Sequence, residues 1–177
     1  DLVYRGRDAL DRAIELRERL GDDTGVASCL GNIAGAYQRR GEFTEARSTY
    51  EWILITFRRL GDRAQEATTL RNLGLVNQEL GEFDEAESLY RQAIALATEH
   101  RLEVQRAGGM MKLGSLYRVT ERAAESARLF DDALSACRTC GDQAAEADVL
   151  NEMGIVHWQE GRLEAAELAL KQAIAIR

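Results

Sequence analysis

Proline is missing from this chain altogether, and lysine nearly so, Lys112 and Lys171 being the only two among 23 basic residues. Without proline, nothing forces a kink or a stop inside a helix. Three cysteines, Cys29, Cys137 and Cys140, are too few and odd in number for a disulfide framework. That points to a reducing compartment, with the cytoplasm as the expected location. Aromatics make up only 6% of the residues, and no apolar run approaches the roughly 18 to 20 residues of a helical membrane span. Residue 1 is Asp, with no basic or apolar leader after it, so the chain reads as a piece of something longer with no membrane partner.

Positive charge is also in deficit. The net charge is -7 and the sequence pI about 5.0, so the diffuse phosphate attraction behind nucleic-acid binding is absent and nucleic acid is not an expected partner. No Walker loop, G-x-S-x-G or H-E-x-x-H occurs. His100 and His157 lie far apart without a metal-ligand spacing, and the carboxylates Glu82, Asp84, Glu85 and Glu87 crowd a helix start, where they suit the helix dipole. No enzyme activity, metal or cofactor is therefore expected. What the chain does have is apolar content, 45% hydrophobic against 30% charged, enough for a folded core.

That content is arranged on a fixed period. Gly41-Glu42-Phe43, Gly81-Glu82-Phe83 and Gly161-Arg162-Leu163 fall on one 40-residue grid, and Gly21-Asp22, Gly61-Asp62 and Gly141-Asp142 fall on it half a period away. A period of this length marks a solenoid of supersecondary units, none of which can bury its apolar face alone. Ala, Leu, Glu and Arg dominate between the glycines, and Ala67, Leu70, Leu73 and Gly74 repeat the helical spacing of Ala27, Leu30, Ile33 and Ala34. Each Gly supplies the positive φ that ends a helix, and the following Asp can cap the next. Asp84-Glu85-Ala86-Glu87 has the spacing of a capping box.

Calling the two helices of each unit A and B, the pattern predicts B over 2–20, A over 22–40, B over 42–60, A over 62–80, B over 82–100, A over 102–120, B over 122–140, A over 142–160 and B over 162–177. The result is an all-α array of about nine helices in antiparallel pairs. It comprises the B helix of a truncated repeat at 1–20 and repeats at 22–60, 62–100, 102–140 and 142–177 of a single domain, 1–177.

Leu113-Gly114 with Tyr117, and Ala86 with Tyr90, carry the L-G-x2-Y and A-x3-aromatic spacings of the tetratricopeptide repeat, which the chain resembles over its whole length. The small A-helix position runs Ala34, Gly74, Gly114, Gly154. The small B-helix position runs Ala46, Ala86, Ser126, Ala166, each followed by Tyr50, Tyr90, Phe130 or Leu170. The period of 40 and the Gly-Asp turns depart from the usual 34 and its proline; they resemble the subclass of kinesin light chains, spindle-orientation adaptors and regulatory arrays of bacterial signalling ATPases. The resemblance implies a right-handed α-α superhelix that binds peptides or proteins without catalysis, with the A helices lining its concave face.

Matched to that motif, the groove-facing rows are Gly31, Arg71, Met111 and Asn151; Gly35, Leu75, Ser115 and Ile155; and Gln38, Gln78, Arg118 and Trp158. They lack the regular ladder of Lys, Arg and Asn that clamps a terminal carboxylate in some family members. They suit an amphipathic peptide instead: Leu75, Met111, Ile155 and Trp158 for apolar contact, Arg71 and Arg118 for acids, Gln78, Ser115 and Asn151 among the polar contacts. Asn32 and Asn72, in equivalent places, read first as bonds to an adjacent helix and second as peptide contacts.

Positions that break the repeat stand out. Trp52 falls where other units have Arg12, Gln92, Asp132 and Gln172, and Phe57 where they have Arg17, Ala97, Cys137 and Arg177. The pair reads either as a convex contact for a second domain or copy, or as filling over a neighbouring helix. Glu121 and Arg101 replace turn glycines, and Gly108-Gly109 interrupt an A helix at about 1 kcal/mol each relative to Ala, giving either a hinge or a close-packed spot. Cys137 and Cys140 have C-x-x-C spacing, but at a helix end and with no second pair. Cys140 takes the place of Leu20 and Leu60, which reads as a buried apolar site. The terminal helices present Leu10, Ala13, Ile14 and Leu20 at one end and Leu163, Ala166, Leu170, Ala173 and Ile174 at the other, so further repeats or end-to-end stacking of copies is expected to cover them. The function expected is a scaffold binding a peptide or protein along the concave face. The alternative is a regulatory arm of a larger signalling ATPase or transcription regulator.

Overall fold

A computed structural model of the chain describes residues 19–176. Those residues form helices α1 (Asp23–Arg40), α2 (Phe43–Leu60), α3 (Arg63–Glu79), α4 (Phe83–Glu99), α5 (Glu103–Val119), α6 (Ala123–Cys140), α7 (Gln143–Gln159) and α8 (Leu163–Ile176). There is no strand among them. The B helix expected over 2–20 lies almost wholly outside the described residues.

The grid works through local backbone chemistry. Gly41, Gly61 and Gly141 end their helices at φ 75°, 72° and 72°, and their amides return to carbonyls of the last turn. Asp22, Asp62 and Asp142 then accept from the amides of Gly25, Gln65 and Ala145 at 2.9–3.0 Å, which starts each A helix. The B helices start on Glu42, Glu82 or Arg122 with no side-chain cap. The capping box expected at Asp84 does not form: Asp84 lies inside the first turn of α4, past the N-cap, and Glu87 turns away to other partners.

Turns this short fold each helix back on the last, and every consecutive pair from α1 to α8 packs together. The A helices α3, α5 and α7 also meet side by side. Small residues let the helices of a hairpin approach. Gly74 lies under Tyr90, Gly114 under Phe130 and Gly154 under Leu170, so close that an added Cβ would stand 2.7, 3.1 and 2.8 Å from the covering side chain. The core runs along the array in linked clusters, one around Tyr50, Ile53, Phe57, Leu70 and Val76, another around Tyr90, Leu113 and Tyr117, a third around Phe130, Cys137 and Val156.

Cys140 departs from its expected burial. It is exposed, as are Leu20 and Leu60 on the same grid position, because the last residue of a B helix stands clear of the following hairpin. Cys137 is the buried thiol, and burial pushes it up to about 11, which keeps it protonated near neutral pH.

Candidate functional site

The three expected rows lie on α1, α3, α5 and α7, and none of their twelve residues is in the core. Asn151 and Trp158 are exposed, Trp158 at 66%, and the others are partly buried. Met111 leans on the core cluster of Phe130 and Val156. Helical period alone explains the arrangement. The residues that follow or precede the rows in each A helix, such as Ala34, Leu70 and Val76, are buried in the core with residues of the B helices and leave the rows outward.

The third row reveals a pairing with the B helices. Tyr50 donates to Gln38 at 2.8 Å and Tyr90 to Gln78 at 3.2 Å, each across twelve residues. The next two repeats replace the tyrosine by Phe130 and Leu170, and the glutamine becomes Arg118 and Trp158. Gln38 and Gln78 thus answer a buried phenol, whereas Arg118 and Trp158 are released from that duty. The alternation was legible in the repeat alignment, as two columns changing together, and was missed there.

Arg118 is engaged differently. Its Nη2 lies 3.6 Å from Glu152, whose carboxylate also accepts weakly from Ser115 at 3.4 Å, while its buried Nε has no partner. Arg71 has no such carboxylate among the described residues. Its polar contact is Asn72 Oδ1 at 3.4 Å, and Nη1 lies over Gly108, where an added Cβ would stand 2.6 Å away. Burial lowers the proton affinity of Arg71 below that of an ordinary arginine, and the phenols of Tyr90 and Tyr50 offset part of the effect.

Two clefts open between α1 and α3. One, of about 270 Å³, is lined by Gly31, Asn32, Thr68 and Asn72 over a floor of Tyr50 and Phe57. The other, of about 440 Å³, is bordered by Gly35, Gln38 and Leu75. Asn32 and Asn72 thus line a cleft, and neither makes a hydrogen bond to an adjacent helix among the described residues. Gly108 and Gly109 serve close packing: α5 is continuous through them, with Arg71 over one and Ile94 over the other.

On the B-helix side the aromatic pair divides. Trp52 is 45% exposed, but Phe57 is 3% exposed inside the first core cluster, so it belongs to the filling and not to a surface patch. Ala97 and Cys137, its grid equivalents, are buried as well. A different B-side feature went unread in the sequence. Glu87 on α4 accepts from Tyr117 at 2.6 Å and from Arg122 at 2.7 Å, and also pairs with Arg91, while the Arg122 guanidinium stacks 3.7 Å from the Tyr117 ring centre. These residues fasten α4, α5 and α6 together, so they are structural. Among the described residues no cluster of three or more His, Cys, Asp or Glu could hold a metal, and no helix is long and apolar enough to cross a membrane.

Helical hairpins of fixed length, stacked so that one helix of each contributes to a shared accessible face, define an α-solenoid. The family model of the tetratricopeptide repeat matches residues 34–99 and 105–177, and the chain belongs to that family. Among curated proteins none matches the sequence. Solved structures share the fold. BtubC (BKLC) from P. vanneervenii superposes with a TM-score of 0.87 at 20% identity, covering 100% of this chain and 74% of that one. Aspartyl phosphate phosphatase F from Bacillus subtilis gives 0.79 at 10% identity over 98% of this chain and 49% of its own. The Rap conjugation gene regulator of plasmid pLS20, in complex with the Phr* peptide, gives 0.72 at 16% identity over 89% of this chain and 44% of its own. The chain thus spans less than half of these last two proteins.

Proposed function

We propose that the chain is a non-catalytic interaction scaffold that holds a peptide or protein segment along the face of its A helices. The observation that carries this reading is the accessibility of all three rows, together with the clefts between α1 and α3. The rows alternate apolar side chains (Leu75, Ile155, Trp158) with amides and guanidinium groups, the mixture that an amphipathic segment needs for anchoring and for its backbone. Membership of the family supports binding of this kind.

The test is affinity capture by the intact protein, repeated with Arg71→Gln, Leu75→Ser and Trp158→Gln combined. Loss of the captured partner supports the face. Unchanged capture, with a melting temperature within a few degrees of the parent, moves the site elsewhere. A regulatory role within a larger protein is a second reading, favoured by the fold shared with a peptide-bound conjugation gene regulator. A peptide ligand that changes the activity of a flanking domain would establish it.

A further inference from the structure

We propose that Arg71 is an acid anchor: a segment bound in the cleft between α1 and α3 runs on past Asn72 and places an Asp or Glu carboxylate on the Arg71 guanidinium beside it. The proposal rests on the A-face reading above and specifies the chemistry of the occupant.

Arg71 is singled out by what surrounds it. Several other arginines meet carboxylates of this chain: Arg47 meets Glu82 at 2.9 Å, Arg58 and Arg63 share Glu66, and Arg118 in the same groove meets Glu152. Arg39, Arg101 and Arg128 meet none among the described residues but are exposed to water, as Arg71 is not. The chain has 30 acidic residues and a net charge of -7, so carboxylates are not scarce. None among the described residues pairs with Arg71. Yet its guanidinium is partly withdrawn from water and laid over Gly108 of α5, with the phenols of Tyr90 and Tyr50 near enough to act on its charge. A partly desolvated cation with one long hydrogen bond is costly to the free protein, and a partner carboxylate offsets that cost through a charge-assisted pair.

The neighbours specify the rest. Tyr50 and Asn72 line the 270 Å³ cleft, and Asn32 faces the same space from α1; Arg71 stands beside the cleft, not in its wall, and donates to Asn72 Oδ1 at 3.4 Å. Amides on both walls offer donors and acceptors to an extended backbone, and Ile53 and Phe57 make the floor apolar. One guanidinium among neutral amides matches a single carboxylate. A polyphosphate or nucleic acid would meet few cations on a protein of net charge -7, a poor match. Gly31 borders the cleft, and a Cβ added there meets nothing within 4 Å, so a longer side chain can plug the space without disturbing the core.

The probe is a displayed library of random twelve-residue peptides selected on the whole chain. Enriched peptides are synthesised, each with its acids changed singly to amides, and measured on the parent, Arg71→Gln, Arg71→Lys and Gly31→Gln. The expected peptides are blocked by Gly31→Gln and carry one acid whose amide form binds about tenfold or more weaker. That acid loses its advantage on Arg71→Gln and retains part of it on Arg71→Lys, while Arg71→Gln melts no lower than the parent. Peptides blocked by Gly31→Gln but equally tight on Arg71→Gln overturn the anchor and leave the A face standing. Absence of enriched peptides, or peptides indifferent to Gly31→Gln, overturns both. A clear fall in melting temperature for Arg71→Gln also overturns the anchor, since it would make the guanidinium a structural part of the free protein.

Discussion

Gly31 in α1 and Gly74 in α3 both occupy helix interiors, yet their surroundings give opposite expectations for the same substitution. A Cβ on Gly74 would stand 2.7 Å from Cε1 of Tyr90, a ring that is itself 0% exposed and held by Gln78, so Gly74→Ala is expected to destabilise by about 1–3 kcal/mol. At Gly31 the new Cβ meets nothing, and Gly31→Ala is expected to stabilise by about 0.5–1 kcal/mol through helix propensity. Urea melts of both variants check the pair, and equal effects would mean that helix propensity and not close approach sets these positions. Glu87 carries a pH signature. Partial burial raises its proton affinity, but the hydrogen bonds from Tyr117, Arg91 and Arg122 outweigh it and hold the carboxyl below the ordinary value of 4.5. Because the folded value lies below the unfolded one, the stabilisation is present above pH 4.5 and is lost as pH falls through the folded value. Glu87→Gln is therefore expected to cost about 1 kcal/mol at neutral pH, a figure kept small by solvent screening. Its stability should fall less steeply than the parent's on acidification. Parallel pH profiles for the two proteins would remove Glu87 from the account.

The turns are the elements in which sequence and structure agree most closely, because their chemistry is local. A glycine at positive φ followed by an Asp that caps the next helix needs only four or five consecutive residues, and Asp62 and Asp142 perform as their spacing predicts. Burial on the B helices was less legible since it depends on the neighbouring hairpin. Phe57 looked anomalous beside Arg17 and Arg177, which fall outside the described residues, whereas Ala97 and Cys137 held the correct signal of an inward position. The Glu87 bridge spans 30 residues to Tyr117, beyond any local pattern. The candidate groove was readable as a face, from period and repeat, but the unpaired state of Arg71 was not, since it depends on which carboxylates other helices bring near. The third hairpin tests the turn argument. Arg101 and Glu121 adopt φ 56° and 61°, the left-handed region where a side chain costs roughly 1 kcal/mol. Arg101→Gly and Glu121→Gly are each expected to raise stability by about 0.5–1 kcal/mol, net of the glycine's greater freedom when unfolded. A fall in thermal midpoint for either would show that its side chain contributes more than its backbone strain removes.

At the scale of the molecule, the described hairpins pack on their neighbours along the array, so stability is distributed along one dimension and depends on how many faces a hairpin has covered. The interior helix α4 buries Ala86, Leu89, Tyr90, Ala93 and Ala97, whereas α8 buries only Ala166, Ala169 and Ala173. The grid makes the difference explicit: Leu54 is 7% exposed, Ile94 and Leu134 are partly buried, and Ile174 is 74% exposed. Leu163 and Leu168 are open as well, at 63% and 59%. Opening α8 therefore exposes less apolar surface than opening α4, and its amides are expected to exchange with solvent fastest among the B helices at low protein concentration. If a second copy stacks on that face, it covers Ile174 as α5 covers Ile94, and exchange in α8 slows as concentration rises while α4 stays constant; if further repeats cover it instead, this chain alone shows no such dependence. Ile174→Lys should abolish the concentration dependence and leave the rate at high dilution unchanged. Exchange in α8 that is fast but independent of concentration excludes the stacked pair. Exchange in α8 as slow as in α4 at every concentration would break the link between covered faces and local stability on which the solenoid account depends.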